Sequence, residues 1–289
     1  MKDVSFKEKF WRCYETVENV CKNLDLYSLL EIEKDRRGKS KDELLFIGMA
    51  NIANYWWCAR KAVLKSRLIE IEFFESYFFD RLFYSMLLDY IEKPLNTPEK
   101  LLNVGDEITI NDIEKLLKLL REEVFQSNDP HLVNINLNEL LAKLGINAAD
   151  LEKDPMLRGV VYEKLKMEKY PTIRWNFEWQ DYVVVGIPDG ITDEFVYEFK
   201  TTGSNFLFRY TKPVALTQAD LYGYFFKRDS KSVQIYIVQQ DYVWNFNSRV
   251  DASRAEETLD KFKQADAHLS SARFPAEWKC SSCEFREMC

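Results

Sequence analysis

Glycine and proline are scarce in this chain, at nine and eight of 289 residues, which argues for long regular elements over a loop-rich β protein. No stretch approaches the roughly 20 apolar residues that a membrane-spanning helix needs. The opening residues, MKDVSFKEKFWRCYETVENV, hold no apolar run of the signal-peptide kind. No G-x4-G-K-[ST] pattern occurs, so any helicase would be a separate chain. Internal repeats and low-complexity tracts are missing as well. So is a basic surplus: the formal net charge is -7, which does not favour a nucleic-acid partner, although the local stretch CARKAVLKSR can form a positive groove on an acidic protein. These absences lead to the expectation of a soluble, cytoplasmic chain whose thiols stay reduced. Its six cysteines then need a reading other than disulfides.

What is present is apolar. Hydrophobic residues make up 46% and aromatic residues 15%, enough for a well-filled core and too much for disorder. Residues 5 to 33 and 42 to 66 show helical spacing, split by the polar link EKDRRGKSKDE, and residues 68 to 92 continue as an aromatic helix. Thr97 caps a helix with Pro98 in its first turn. Asn111 and Glu114 form a capping-box-like pair before an apolar face of Ile113, Leu116, Leu117, Leu120 and Val124. NLNELLAKLG reads as one more short helix. From Pro155 the pattern changes. MLRGVVYEKLKMEK reads as a helix, strands follow around 173 to 187 and 194 to 201, a helix covers about 214 to 228, SVQIYIVQQ is a strand and ASRAEETLDKFKQADAHL a helix. The expected fold class is α/β, with a mixed central sheet flanked by helices. Three regions are expected: 1–66, helical and carrying the first of the site cysteines; 67–153, a helical insertion; and 154–289, the core with a C-terminal cysteine cluster.

The segment VVVGIPDGITDEFVYEFKTTG gathers polar residues around one hairpin. Asp189 follows the first strand, while Glu198 and Lys200 stand two apart in the second and so leave the same face. Two carboxylates meeting at a sheet edge repel each other and resist burial. A divalent cation relieves that cost, taking carboxylate, carbonyl and water oxygens. It also lowers the pKa of its water and stabilises charge on a phosphoryl oxygen. A neighbouring lysine can orient the attacking water or neutralise developing charge. That is the chemistry of phosphodiester hydrolysis, set against an ordinary exposed ion pair. Downstream, Gln218 and Tyr222 stand four apart on one helix face, able to hydrogen-bond a phosphate or the surroundings of Lys200; the plainer reading makes Tyr222 a core aromatic. Upstream, Glu163 lies four after Gly159, where a glycine would let the helix approach the sheet closely, and Glu163 is a candidate third metal ligand.

The chain ends in CSSCEFREMC, with Cys280, Cys283 and Cys289 spaced C-x2-C-x5-C. Three thiolates leave a tetrahedral site one ligand short, and Cys58 in NYWWCARK is the best fourth. Cys13 and Cys21 read as small apolar core residues. Zinc and a [4Fe-4S] cluster both accept four cysteines, and a lone distant cysteine plus a clustered trio fits the iron–sulfur cluster better. Tyr55, Trp56 and Trp57 near the cluster are candidates for stacking on bases or for packing.

In order, YWWCARK, RGVVYE, GIPDG, YEFK, QADLY and CSSCEFREMC resemble the motifs of RecB-type PD-(D/E)XK nucleases that carry an iron–sulfur cluster. The closest resemblance is to the CRISPR-associated RecB-like exonucleases of spacer acquisition, over about residues 44 to 66 and 155 to 289. The resemblance implies a restriction-endonuclease-like core and metal-dependent exonuclease cleavage of single-stranded or frayed DNA. In it, Asp189, Glu198 and the Phe199 carbonyl would hold Mg2+ or Mn2+, Lys200 would be catalytic, and Gln218 and Tyr222 would support the site and the strand. Cys58, Cys280, Cys283 and Cys289 would bind a [4Fe-4S] cluster, and the CRISPR integrase would be the partner. Two departures stand out. Glu163 occupies a position where this family usually has histidine, a harder ligand expected to shift preference from Mn2+ toward Mg2+. The helical block after Cys58 is also longer than a compact member needs. Two other readings remain: a nuclease of replication, recombination or viral DNA processing, and a non-catalytic DNA-binding or assembly subunit. The intact Asp189, Glu198 and Lys200 set argues against the second.

Overall fold

A computed structural model describes residues 46–68, 141–142, 145–168, 170, 174–192, 194–272, 275–281 and 283–288. The helices expected over 5–33, 68–92 and 97–124, with Cys13, Cys21 and Cys289, lie outside the described residues. The chain divides into two compact units, one of Met1–Phe46, Ile69–Asn128 and Arg174–Val185, the other of Ile47–Leu68, Asp129–Ile173 and Gly186–Cys289. Among the described residues no helix is long and apolar enough to cross a membrane.

In the first unit, the strand region expected over 173–187 is two strands, β2 (Trp175–Trp179) and β3 (Tyr182–Gly186). The turn between them holds Gln180 at φ 51, and Trp179 stacks on Tyr182 with ring centroids 5.7 Å apart. β1 (Phe46–Gly48) spans the boundary between the units at Phe46, and the strand order is β1-β3-β2. β1 corrects the expectation of unbroken helix over 42–66. All three of its residues are buried, and a short all-apolar run carries no period by which strand and helix can be told apart.

The second unit begins with α1 (Met49–Ala53) and α2 (Ala59–Leu68), separated by a tight turn at Asn54–Trp56. Then come α3 (Ala148–Lys153), capped by the Asn147 side chain, and α4 (Pro155–Lys166). A four-stranded mixed sheet follows in the order β4-β5-β6-β7, from β4 (Gly190–Ile191), β5 (Phe195–Thr202), β6 (Ser230–Ile237) and β7 (Tyr242–Arg249). The central pair β5/β6 is parallel and both outer pairs are antiparallel. Parallel neighbours need a crossover, which α5 (Asn205–Phe226) supplies. α6 (Ala252–Ala267) packs against α5, and the short α7 (Glu277–Cys280) precedes the cysteines.

α5 starts nine residues before the expected 214. The Ser204 hydroxyl caps it by accepting from the Leu207 N–H. Pro213 inside it removes one donor, facing the Arg209 carbonyl, without ending the helix. Packing explains this: Ala215 and Ala219 sit fully buried on Val233 and Ile235 of β6. At Gly223 an added Cβ would lie 2.2 Å from Val250 Cγ2, so only glycine lets α5 meet the end of β7 this closely. Gly159 does not play the part expected of it: among the described residues nothing lies within 4 Å of a Cβ built there, so α4 makes no close approach to them at that residue.

Candidate functional site

β5 carries the centre of the site. Glu198 is in register with Val233 and Lys200 with Ile235, so both side chains share the sheet face that α5 covers. Glu198 is fully buried, and Lys200 forms an ion pair with it while its own side chain stays 30% exposed. Lys200 apart, neither Glu198 oxygen has a hydrogen-bond donor among the described residues. Asp189 comes from the bend between β3 and β4. The antiparallel pair Gly190↔Tyr197 brings it opposite Glu198, and its Oδ2 accepts from the Phe199 N–H at 2.7 Å. The neighbouring Gly190 is pressed by Tyr170, whose Cβ would be 2.4 Å from an added Cβ. Glu163, exposed on α4, completes the acidic set.

The electrostatics join these residues into one group. Burial first and Asp189 next push Glu198 up to about 8, against the opposing pull of Lys200. Burial would pull Lys200 down, but Glu198, Asp189 and Glu163 together hold it above its ordinary value. Glu163 is raised by burial and then by Asp189, against Lys200. Near neutral pH burial therefore favours a proton shared between Glu198 and Lys200 over a free carboxylate, and a metal cation would displace it. Among the described residues no three His, Cys, Asp or Glu side chains close up as a ready-made metal cage, so the carboxylates converge on Lys200 loosely. Their chemistry still suits a hard cation. The donors are all oxygen, and two carboxylates sharing one lysine are a costly group to bury unless a further cation joins them.

Gln218 and Tyr222 are brought to the same place, where they bond each other and the backbone. Both are buried; Gln218 Nε2 donates to the Tyr222 hydroxyl at 2.9 Å, and that hydroxyl donates to the Ile187 carbonyl at 2.8 Å. They brace the loop that delivers Asp189. Burial raises Tyr222 well above its ordinary value, and Glu198 and Asp189 add to that, so it remains a neutral donor. Sequence reasoning passed over Asp220 between them. Fully buried, it pairs with Lys231 of β6, accepts from the Asp251 N–H at 2.7 Å and bonds Arg254 at 3.3 Å. A charged residue on an otherwise apolar helix face was the available signal. The other face of the sheet, shared by Phe199 and Gln234, holds a cavity of about 810 Å3 lined by Glu168, Tyr170, Gln234 and Asn245, away from Glu198 and Lys200.

The cysteine-bearing segments also meet. The Lys279 ammonium donates to the Trp57 carbonyl at 2.8 Å, Lys61 pairs with Glu284 at 3.2 Å, and Trp57 packs edge-on against Trp278. Cys58 is buried, and its Sγ accepts from the Lys61 N–H at 3.5 Å; Cys280 and Cys283 are half-buried. Burial lowers Lys279 while the Cys58 sulfur works to raise it. Three cations of the basic stretch after Cys58 are engaged within the protein. Arg60 donates to the Leu269 carbonyl, Arg67 pairs with Asp266 at 2.6 Å, and Lys61 is taken by Glu284. Trp56 is a packing residue whose indole donates to the Thr258 hydroxyl at 2.9 Å.

No protein-family model and no curated protein matches the chain. Among solved structures, the chain is similar to the crystal structure of SSO0001, at 15% identity and a TM-score of 0.36, over 92% of this chain and 96% of that one.

Proposed function

We propose that this chain is a metal-dependent DNA exonuclease of the PD-(D/E)XK type, built on a restriction-endonuclease-like core. One observation carries the reading: Glu198 is fully buried beside Asp189, with the half-buried Lys200 as its ion-pair partner and Glu163 coupled to the same group. A structural surface pair has no use for so costly an arrangement. Glu163, Asp189, Glu198 and the Phe199 carbonyl are the groups that would hold Mg2+ or Mn2+. When bound, the ion supplies an acidified water and charge for a phosphoryl oxygen. Lys200 reaches solvent past Glu198 and offers its ammonium to the scissile phosphate. Asp189 is fixed by the Phe199 N–H, and Tyr222 fixes the backbone two residues before it. Cys58, Cys280, Cys283 and Cys289 would hold the [4Fe-4S] cluster, supported by the contact between the Cys58 turn and the C-terminal segment. The order of the sequence motifs supports processing of DNA ends for CRISPR spacer acquisition, beside the integrase.

The test is digestion of a 5′-labelled single strand with Mg2+ or Mn2+ by protein purified without oxygen, next to Lys200→Ala, with the visible spectrum recorded. Metal-dependent laddering that Lys200→Ala lacks is expected from a brown sample. A folded, coloured protein that binds DNA and never cleaves it sinks the enzyme reading.

A further inference from the structure

Four aromatic rings from distant parts of the second unit share one patch beside the cysteine segment. Trp57 and Tyr210 lie 6.0 Å apart, Tyr210 and Trp278 5.1 Å, and Phe206 and Trp278 5.4 Å. The inner rings do structural work, with Lys279 lodged over Trp57 and Tyr210 at 4.6 and 4.5 Å. The outer two are open. Phe206 is 53% exposed and Trp278 37%, and they touch each other. Phe206 lies over Tyr210 and Trp278 as the most exposed ring of the group. Arg209, exposed and one helical turn after Phe206 on α5, adds positive charge to the same edge.

We infer that Phe206 and Trp278 are a base-stacking platform for single-stranded nucleic acid, with Arg209 serving its phosphates. Exposed rings beside a cation suit this occupant because every base has a π-face and every linkage a negative charge. The position fits the site. β5 ends at Thr202, two residues beyond Lys200, and Phe206 opens the helix that follows. α5 then runs back over β5, so Phe206 lies roughly 18 Å along the helix axis from Gln218. A strand stacked on the platform reaches Lys200 within a few nucleotides. This inference rests on the nuclease reading for its purpose, though not for the binding itself.

The experiment compares a twelve-residue oligothymidylate with an abasic strand of equal length, followed by Trp fluorescence on the full chain purified without oxygen and without added divalent metal. Wild type is expected to bind the thymidylate roughly tenfold more tightly than the abasic strand, as one or two stacked bases would give. Phe206→Ala should lose that preference while keeping its affinity for the abasic strand, and Phe206→Trp should retain it. Phe206→Ala binding the thymidylate as wild type does would overturn the inference. So would an equal loss for both strands, the mark of a structural defect. Hydrolysis of bis(p-nitrophenyl) phosphate with Mn2+, which offers no strand to stack, separates the two ideas. Hydrolysis without base preference removes the platform alone; base preference without hydrolysis removes the nuclease reading and leaves a nucleic-acid-binding surface.

Discussion

Replacing Glu198 by glutamine keeps the shape of the side chain and removes its charge. The carboxyl stands at about 8 rather than 4.5, chiefly through burial and next through Asp189. A carboxyl raised on folding contributes stability that is fully present below the unfolded value and lost as pH rises through the folded one. The window is therefore from about pH 4.5 to about pH 8. With those two values the loss between pH 5 and pH 8 is about 3 kcal/mol. Lys200 is held above its ordinary value, stays charged throughout that window and adds no slope. Glu163, also raised, adds slope of the same sign to both proteins. Wild type without divalent metal should therefore weaken by about 3 kcal/mol from pH 5 to pH 8, and Glu198→Gln by much less. At pH 8 the glutamine variant should therefore have gained on wild type in stability. Urea unfolding followed by circular dichroism at pH 5, 6, 7 and 8 measures this directly. Adding Mg2+ at pH 8 should then raise the midpoint of wild type and not that of the variant. Parallel pH profiles for the two proteins would refute the reasoning, because Glu198 would then titrate as a solvated carboxyl.

Asp220→Ala leaves Lys231 buried without its partner and should cost about 3–5 kcal/mol in chemical denaturation, the largest loss expected of any single change outside the acidic site. Gly223→Ala drives a methyl into Val250 and should destabilise by about 1–3 kcal/mol. Gly159→Ala does the opposite: within a helix, its Cβ meets nothing within 4 Å among the described residues, so the thermal midpoint should rise, by about 0.5–1 kcal/mol of stability. Cys58→Ser should abolish the visible absorption of protein prepared without oxygen; retention of full colour removes Cys58 from the ligand set.

Much of the acidic site is legible in the sequence because a strand repeats every two residues. Glu198 and Lys200 had to share a face, and the structure adds only which element covers it. Asp189 is legible for a related reason, since a two-residue β4 returning antiparallel to β5 has few registers open to it. The roles of Gln218 and Tyr222 were not legible. Their spacing gives a common helix face but does not say whether it points at solvent or at the Ile187 carbonyl. β7 was missed altogether, although Trp244 and Phe246 alternate with Asn245 and Asn247; an edge strand buries one face only partly and so gives a weak apolar signal. The length of α5 was hidden by Pro213, whose local preference is overruled by contacts far away in sequence. Gly159 misled for the reverse reason: a glycine suggests closeness, and among the described residues there is none.

The bond from Lys279 to the Trp57 carbonyl spans 222 positions of the chain. On a ribosome adding roughly 5–20 residues per second, about ten to forty seconds separate the synthesis of the two ends. Throughout that delay the nascent turn around Cys58 has none of its C-terminal cover, and its thiol and two tryptophans stand open to oxidants and chaperones. Closure is thus a late event in the life of each molecule, paced by translation. A slower message over the final third would lengthen the exposure without altering a single residue.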